Sequence, residues 1–240
     1  MNDITHYLSV KYGGDWFKVY KAIVNAETIP NDQMNTFLNT KEGILENTNI
    51  LEITDDKYPH CFKLLKQPPF VIYYSNNLSM FNKRWIWLDD PNCALKENEL
   101  LKIHLSGYGF VVYDLVTNKQ LIKRLVKNNY KVLIVCNKAI LHSQSYEYIN
   151  HKNVWLISEI PSVNNEIKVS QDLKRLCCSL AEFIICVNEL NHFDEYLINK
   201  VHDLDKQLFL HTNSKQTNKT NFPLQINNVN EIAAFKNNVN

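Results

Sequence analysis

The sequence predicts an α/β protein: a Rossmann-like doubly wound, mainly parallel sheet with a small helical N-terminal subdomain. Three observations carry this expectation. From residue 71 onward, apolar strand-like runs recur at spacings of roughly 20–30 residues, the length of a strand plus a crossover helix. Segments with helical apolar spacing lie between them. The runs are continuously apolar rather than alternating, as in strands covered on both faces by helices.

In chain order, residues 3–41 read as short helices. Ile4, Tyr7 and Leu8 share one face, and Trp16, Phe17, Val19, Tyr20 and Ile23 form a second apolar group after the Gly13-Gly14 break. A glycine-hinged helical pair is also the outline of a helix–hairpin–helix DNA module, but plain core packing accounts for these positions. The change of rhythm divides the chain into a helical region, 1–50, and an α/β domain, 51–240. Pro68-Pro69 launches a Phe70–Tyr74 strand. Further strands are expected at Trp85–Leu88, Phe110–Leu115, Val132–Cys136, Val154–Ile157, Phe183–Val187 and Leu208–Leu210. Leu95, Leu100, Leu101 and Leu105 mark a helix stopped at Gly107. Leu121, Ile122, Leu125 and Val126 mark another, opened by Thr117 with Gln120 three residues later as a capping box. Leu173, Leu176, Cys177 and Leu180 make a third helix, and Phe193, Tyr196, Leu197 and Val201 a fourth. The polar segment 212–221 reads as a surface loop of unassigned role. Ile226, Val229, Ile232 and Phe235 then dock a last short element.

Composition narrows the function classes. A 45% hydrophobic fraction suffices for a buried core, and 26 basic against 25 acidic side chains exclude a global polycation. Any basic surface is therefore local. No apolar run approaches the ~18 residues of a membrane span, and the N-terminus lacks the basic and apolar regions of a signal peptide. A cytoplasmic protein without membrane partners is expected. The six cysteines form no C-x-x-C pair and fall largely in apolar runs, so buried free thiols are expected rather than disulfides or a zinc site.

Open parallel sheets bind ligands beyond the carboxyl ends of their strands. Here those positions read Asp89-Asp90-Pro91-Asn92, Asp114-Leu115-Val116-Thr117, Asn137-Lys138, Ser158-Glu159-Ile160-Pro161 and Asn188-Glu189. With only five glycines, none directly after a strand, the chain has no phosphate-cradling loop. G-x-G-x-x-G, G-x-x-x-x-G-K-[ST] and G-x-S-x-G are all absent, and no catalytic residue, cofactor site or metal site is assigned. Asp89, Asp114 and Glu159 could converge on Mg²⁺, but solvated or helix-capping carboxylates are the plainer account. His192-Phe193-Asp194 and His202-Asp203-x-Asp205 read as exposed helix positions. Tyr73, Tyr74, Trp85, Trp87 and Trp155 could stack bases, but strand aromatics are usually core. Lys119, Lys123, Arg124 and Lys127, and separately Lys168, Lys174 and Arg175, fit solvated helix faces.

The segment Tyr58-Pro59, Leu64-Leu65, Pro68-Pro69, Val71-Ile72-Tyr73, Asn76-Asn77 resembles a signature of the DNA-processing protein A (Smf) family, cytoplasmic proteins associated with natural transformation. That signature ends in Gly-Asn; here Asn76 stands in the glycine position. Ser158-Glu159-Ile160-Pro161 is similar to the family's Ser-Glu-x-Pro, and Leu173–Ala181 falls where its arginine-rich helix lies. Asn221-Phe222-Pro223-Leu224 is similar to a later Asn-x-Leu-Ile element. The family's Gly-Ser/Thr-Arg and Ser-Gly-x-Ala-x-Gly-Ile-Asp signatures are replaced by Leu88-Asp89-Asp90-Pro91 and Tyr113–Asn118. Of its Arg-Asn-Arg run, Arg175 persists, with Lys174 in place of asparagine.

The resemblance implies a non-enzymatic protein that binds single-stranded DNA and loads a recombinase during DNA uptake and recombination. Homodimers and DNA contacts through Lys174, Arg175 and Lys138 are implied with it. The departures imply reduced or lost DNA affinity, and leave as alternative a degenerate Rossmann scaffold without a ligand pocket that acts through protein–protein interaction.

Overall fold

The computed structural model describes residues 3–44, 48–90, 92–114, 116–162, 173–187, 195–211, 224–226 and 231–232. Among them, nine strands form one sheet: β1 (Asn49–Glu52), β2 (Val71–Tyr74), β3 (Trp85–Asp89), β4 (Gly109–Asp114), β5 (Val132–Cys136), β6 (Val154–Ser158), β7 (Phe183–Cys186), β8 (Gln207–His211) and β9 (Leu224–Ile226). Their order is β1-β2-β6-β5-β4-β3-β7-β8-β9. From β6 to β9 every neighbouring pair is parallel, while β1–β2 and β2–β6 are antiparallel. The chain steps outward from β3 to β6, then returns to place β7 on the other flank of β3. That reversal makes the β3/β7 boundary the topological switch point, where a doubly wound sheet opens a crevice.

The helices are α1 (Asp3–Lys11), α2 (Trp16–Val24), α3 (Asn31–Ile44), α4 (His60–Lys63), α5 (Glu97–Leu105), α6 (Lys119–Lys127), α7 (Leu173–Leu180) and α8 (Glu195–Asp203). Because side chains alternate along a strand, each central strand feeds two cores. Ile86, Leu88, Phe110, Val112 and Ile134 pack with Leu100 and Ile103 of α5 and Leu121 and Leu125 of α6. Trp85, Trp87, Val111, Tyr113 and Leu133 pack with Phe62 of α4, Leu176 and Cys177 of α7, and Leu197 and Val201 of α8. The doubly wound expectation therefore holds. The six cysteines are free, four of them buried. No helix among the described residues is long and apolar enough to cross a membrane.

Glycine is used where nothing else fits. A Cβ on Gly109 would lie 2.3 Å from the Trp85 ring, which crosses β4 to meet Trp155 edge-on at 5.8 Å. Gly14, at φ +79°, would put a Cβ 2.7 Å from the Glu159 carbonyl oxygen. The helical break thus seats α1 and α2 on the turn after β6, which is a packing role. Tyr7, Leu8, Val19 and Ala22 form the small core of this region, and the His6 ring meets Tyr73 of β2. Ile4, Phe17, Tyr20 and Ile23, expected in the core, are exposed.

The Tyr58–Tyr74 segment is fastened to the sheet. The Tyr58 hydroxyl donates to the Pro69 carbonyl at 2.6 Å, and the Trp16 indole N–H donates to the Pro68 carbonyl at 2.8 Å. Asn76, in the glycine position of the resembled signature, has φ +62° and donates through Nδ2 to the Val154 carbonyl. Asparagine is among the few residues that tolerate this left-handed region.

Several local expectations are corrected. β1 was not expected, because four residues on a sheet edge carry too little periodicity. Thr117 does not cap α6: it is exposed in a 3₁₀ turn, and Asn118 precedes the helix while donating to the Tyr113 carbonyl. The reciprocal carboxylate bond typical of a capping box occurs on α5, where Glu99 accepts from the Lys96 N–H at 2.9 Å. Leu115, Phe193, Val229, Phe235 and the polar 212–221 segment lie outside the described residues. Ile226 and Ile232 do join the core.

Candidate functional site

The switch-point crevice begins with Asp89, the last residue of β3. Its Oδ1 accepts from the Tyr113 hydroxyl at 3.0 Å, Oδ2 lies 3.8 Å from Cys186 Sγ of β7, and its carbonyl accepts from the Val187 N–H. Burial raises the Asp89 carboxyl above its ordinary range, with the Tyr113 hydroxyl and the Lys174 ammonium pulling the other way.

Asp90 explains why no phosphate loop is possible here. It is fully buried, and its carboxylate accepts from the backbone N–H groups of Ala94 (2.8 Å) and Leu95 (3.0 Å). Its carbonyl accepts from Cys93, whose φ is +51°. In a dinucleotide-binding fold, bare amides between strand and helix receive the phosphate. Here the chain supplies its own anion to them. Arg124 braces the same loop, donating to the Leu95 carbonyl at 2.7 Å and to Glu97 at 3.1 Å.

Asp114 closes β4 in the same manner. It is 1% exposed and accepts from the Ser143 hydroxyl at 2.5 Å and the Ser145 hydroxyl at 2.8 Å. These serines lie between the 3₁₀ turns 140–142 and 146–148, so the carboxylate seats that segment over the strand end. At β6, Ser158 Oγ donates to the Lys138 carbonyl and accepts from the Ile160 N–H. Glu159 forms a 2.5 Å ion pair with Arg175 of α7, both side chains 6% exposed. Burial raises the nearby Tyr58 phenol; the Glu159 charge adds to this and Arg175 opposes it.

Of the three expected DNA contacts, Lys138 is exposed just beyond β5, and Lys174 is half-buried in the first turn of α7. Arg175 is buried and neutralised by Glu159. Asp89, Asp114 and Glu159 do not converge, since each has its own set of partners. Among the described residues no group of three metal-ligating side chains forms. The plainer account, solvated or helix-capping carboxylates, is corrected too: all three are buried and accept from neighbouring hydroxyls or a guanidinium. Tyr73, Tyr74, Trp85, Trp87 and Trp155 are buried core residues. Lys119, Lys123 and Lys127 are exposed on α6, and His202, Asp203 and Asp205 are exposed at the end of α8. His192, Asp194, Lys168 and the 188–189 pair lie outside the described residues. Sequence reasoning missed Ser143 and Ser145, and it missed the self-ligation of Asp90. The signal for the latter was an aspartate before a Pro-Asn turn, which bonds amides just downstream.

These features define a class: a doubly wound α/β protein whose switch-point crevice is occupied by its own carboxylates. Its fold is that of DNA processing protein A. The structure of DNA processing protein A from Streptococcus pneumoniae superposes with a TM-score of 0.68 at 11% identity, covering 98% of this chain and 97% of that one. DNA processing protein A from Helicobacter pylori, whose structure concerns its single-stranded DNA binding mode, gives 0.58 at 13% identity over 80% of this chain and 96% of that one. No protein-family model matches the chain, and no curated protein matches it in sequence.

Proposed function

We propose that this chain binds single-stranded DNA as a divergent, non-enzymatic member of the DNA-processing protein A family, and that it passes the strand to a recombinase in DNA uptake and recombination. The observation that carries this reading is the shared fold over nearly the whole chain, helical N-terminal region included. Lys138 and Lys174 are the phosphate contacts at the strand carboxyl ends, with Arg175 behind them. Four buried carboxylates at this end lower its attraction for phosphate, so affinity here is modest and strongly salt-dependent. Fluorescence anisotropy with labelled oligo-dT tests the reading. Binding is expected at about 50 mM salt, and K138A/K174A is expected to flatten the slope of log K against log salt by about 1.4. Absence of wild-type binding at that salt would sink it.

A second reading, self-association, is favoured by one observation. Helix α2 exposes Phe17 (63%), Tyr20 (47%), Ile23 (42%) and Val24 (61%) while burying Val19 and Ala22 on its other side. A contiguous apolar helix face of this kind fits a second copy of the chain. Sedimentation velocity should show a dimer that F17E/V24E converts to monomer. A wild-type monomer at about 100 μM, far above the range of a specific dimer, rules this interface out.

A further inference from the structure

The geometry points to a second nucleic-acid surface at the amino ends of the strands, opposite the crevice: a row of cations formed by Lys83, Arg84, Lys131 and Lys152 that takes the phosphates of a single strand. The inference rests on the single-stranded DNA reading and moves the main contact to the other end of the sheet.

The two ends differ in charge, the amino end holding more cations than acids. Among the described residues, the carboxyl ends hold the buried acids Asp89, Asp90, Asp114 and Glu159 beside Lys96 and Lys138 on their connecting loops and Lys174 and Arg175 in the first turn of α7. The segments entering β3, β5 and β6 hold Lys83, Arg84, Lys131 and Lys152, with no carboxylate among them. The acids on the remaining amino-end segments are Glu182 before β7, and Asp205 beside Lys206 before β8.

Register lines the cations up. Gly109 N–H donates to the Arg84 carbonyl, Phe110 N–H to the Lys131 carbonyl, and Val132 N–H to the Asn153 carbonyl, all at 2.8–2.9 Å. Residues 84, 131 and 153 therefore follow one edge across β3, β4, β5 and β6, a span of about 14 Å at ordinary strand spacing. Lys83 and Lys131 share the face of Trp85 and Trp155, two residues before Trp85 and Leu133 respectively.

Two of the cations are held in place. Lys83 Nζ lies 5.0 Å from the centre of the Trp155 ring, and the Arg84 guanidinium lies 4.2 Å from that of Tyr108. Such contacts order a side chain while leaving its charge toward water, and a pre-ordered cation loses less entropy on binding. Arg84 is also paired with Glu182 at 2.7 Å, so it contributes least net charge. Among the described residues no carboxylate pairs with Lys83, Lys131 or Lys152. Compensation of helix dipoles does not account for Lys131 or Lys152 either, since neither adjoins the last turn of a helix, whereas Lys83 follows the 3₁₀ turn 78–82.

The test measures oligo-dT affinity against salt for the wild type and three variants. K83A/K131A/K152A is expected to lose tenfold or more in affinity at low salt and to flatten the salt slope by about 2, while K21A/K57A/K123A, which removes the same charge elsewhere, leaves it unchanged. K138A/K174A reports the carboxyl end separately. Photocrosslinking of bromodeoxyuridine oligonucleotide to the unmutated protein should label peptides containing residues 83–84, 131 or 152. Wild-type binding with an unaltered slope in the amino-end variant, or crosslinks confined to 138 and 174–175, overturns the location and leaves the DNA reading intact. Absence of wild-type binding overturns both, and binding of polyglutamate in preference to oligo-dT overturns nucleic acid as the partner.

Discussion

Glu159→Ala is expected to destabilise the protein by about 3–5 kcal/mol, the cost of removing one partner from a buried ion pair. Arg175 cannot relieve the loss by deprotonating, because a guanidinium stays charged at any accessible pH. It cannot swing into water without unpacking α7, since Leu176, Cys177 and Cys178 beside it are fully buried. Its Nη1 already lacks a partner among the described residues, so the single 2.5 Å contact through Nη2 is its main compensation. The decisive comparison is with E159Q/R175M, which removes both charges and keeps the volume; replacing a whole buried pair is often close to neutral. Urea midpoints for the two variants should therefore differ widely. A loss below about 1 kcal/mol in Glu159→Ala would show that the pair is solvated and worth no more than a surface bridge. Arg175 would then be available to phosphate, and the carboxyl end would regain a DNA contact.

The layers of the fold were legible in the sequence because burial on both faces writes strands as uninterrupted apolar runs. Val132–Cys136 is such a run, and the structure matches it residue for residue. Legibility failed where a single local bond decides. Thr117 and Gln120 had the spacing of a capping box, yet Asn118 takes the position before α6, its side chain drawn to the Tyr113 carbonyl. At the site, the sequence showed that no glycine follows a strand to cradle phosphate, and that Asp89-Asp90 stands where the resembled family has a Gly-Ser/Thr-Arg signature. It could not show that Asp90 satisfies amides four and five residues downstream. Nor could it pair Glu159 with Arg175, because sixteen residues separate them and no local spacing rule joins a strand end to a later helix. The amino-end cations were scattered as Lys83, Lys131 and Lys152 along the chain; only the parallel register brings them onto one edge.

Asp114→Ala is expected to cost about 2–4 kcal/mol and to loosen the 140–148 segment. The carboxylate accepts two hydroxyl bonds at a site that is 1% exposed, and each donor left unmatched in such a place costs about 1–3 kcal/mol. Ser143 is itself tied to the Ser145 N–H at 3.0 Å, so the loss spreads through three groups that order one loop. Asp114→Asn keeps the shape and one good acceptor, and should cost less than half as much. Amide hydrogen exchange separates local from global effects: Asp114→Ala should speed exchange at 143–149 well beyond what its lower global stability explains, whereas Asp114→Asn should not. Uniformly faster exchange in both variants would show that Asp114 supports the core rather than the loop. The distinction bears on function, because a segment pinned by a buried carboxylate keeps the strand end closed to ligands. With Asp90 filling one strand end and Asp114 sealing the next, phosphate is left to the lysines outside the crevice.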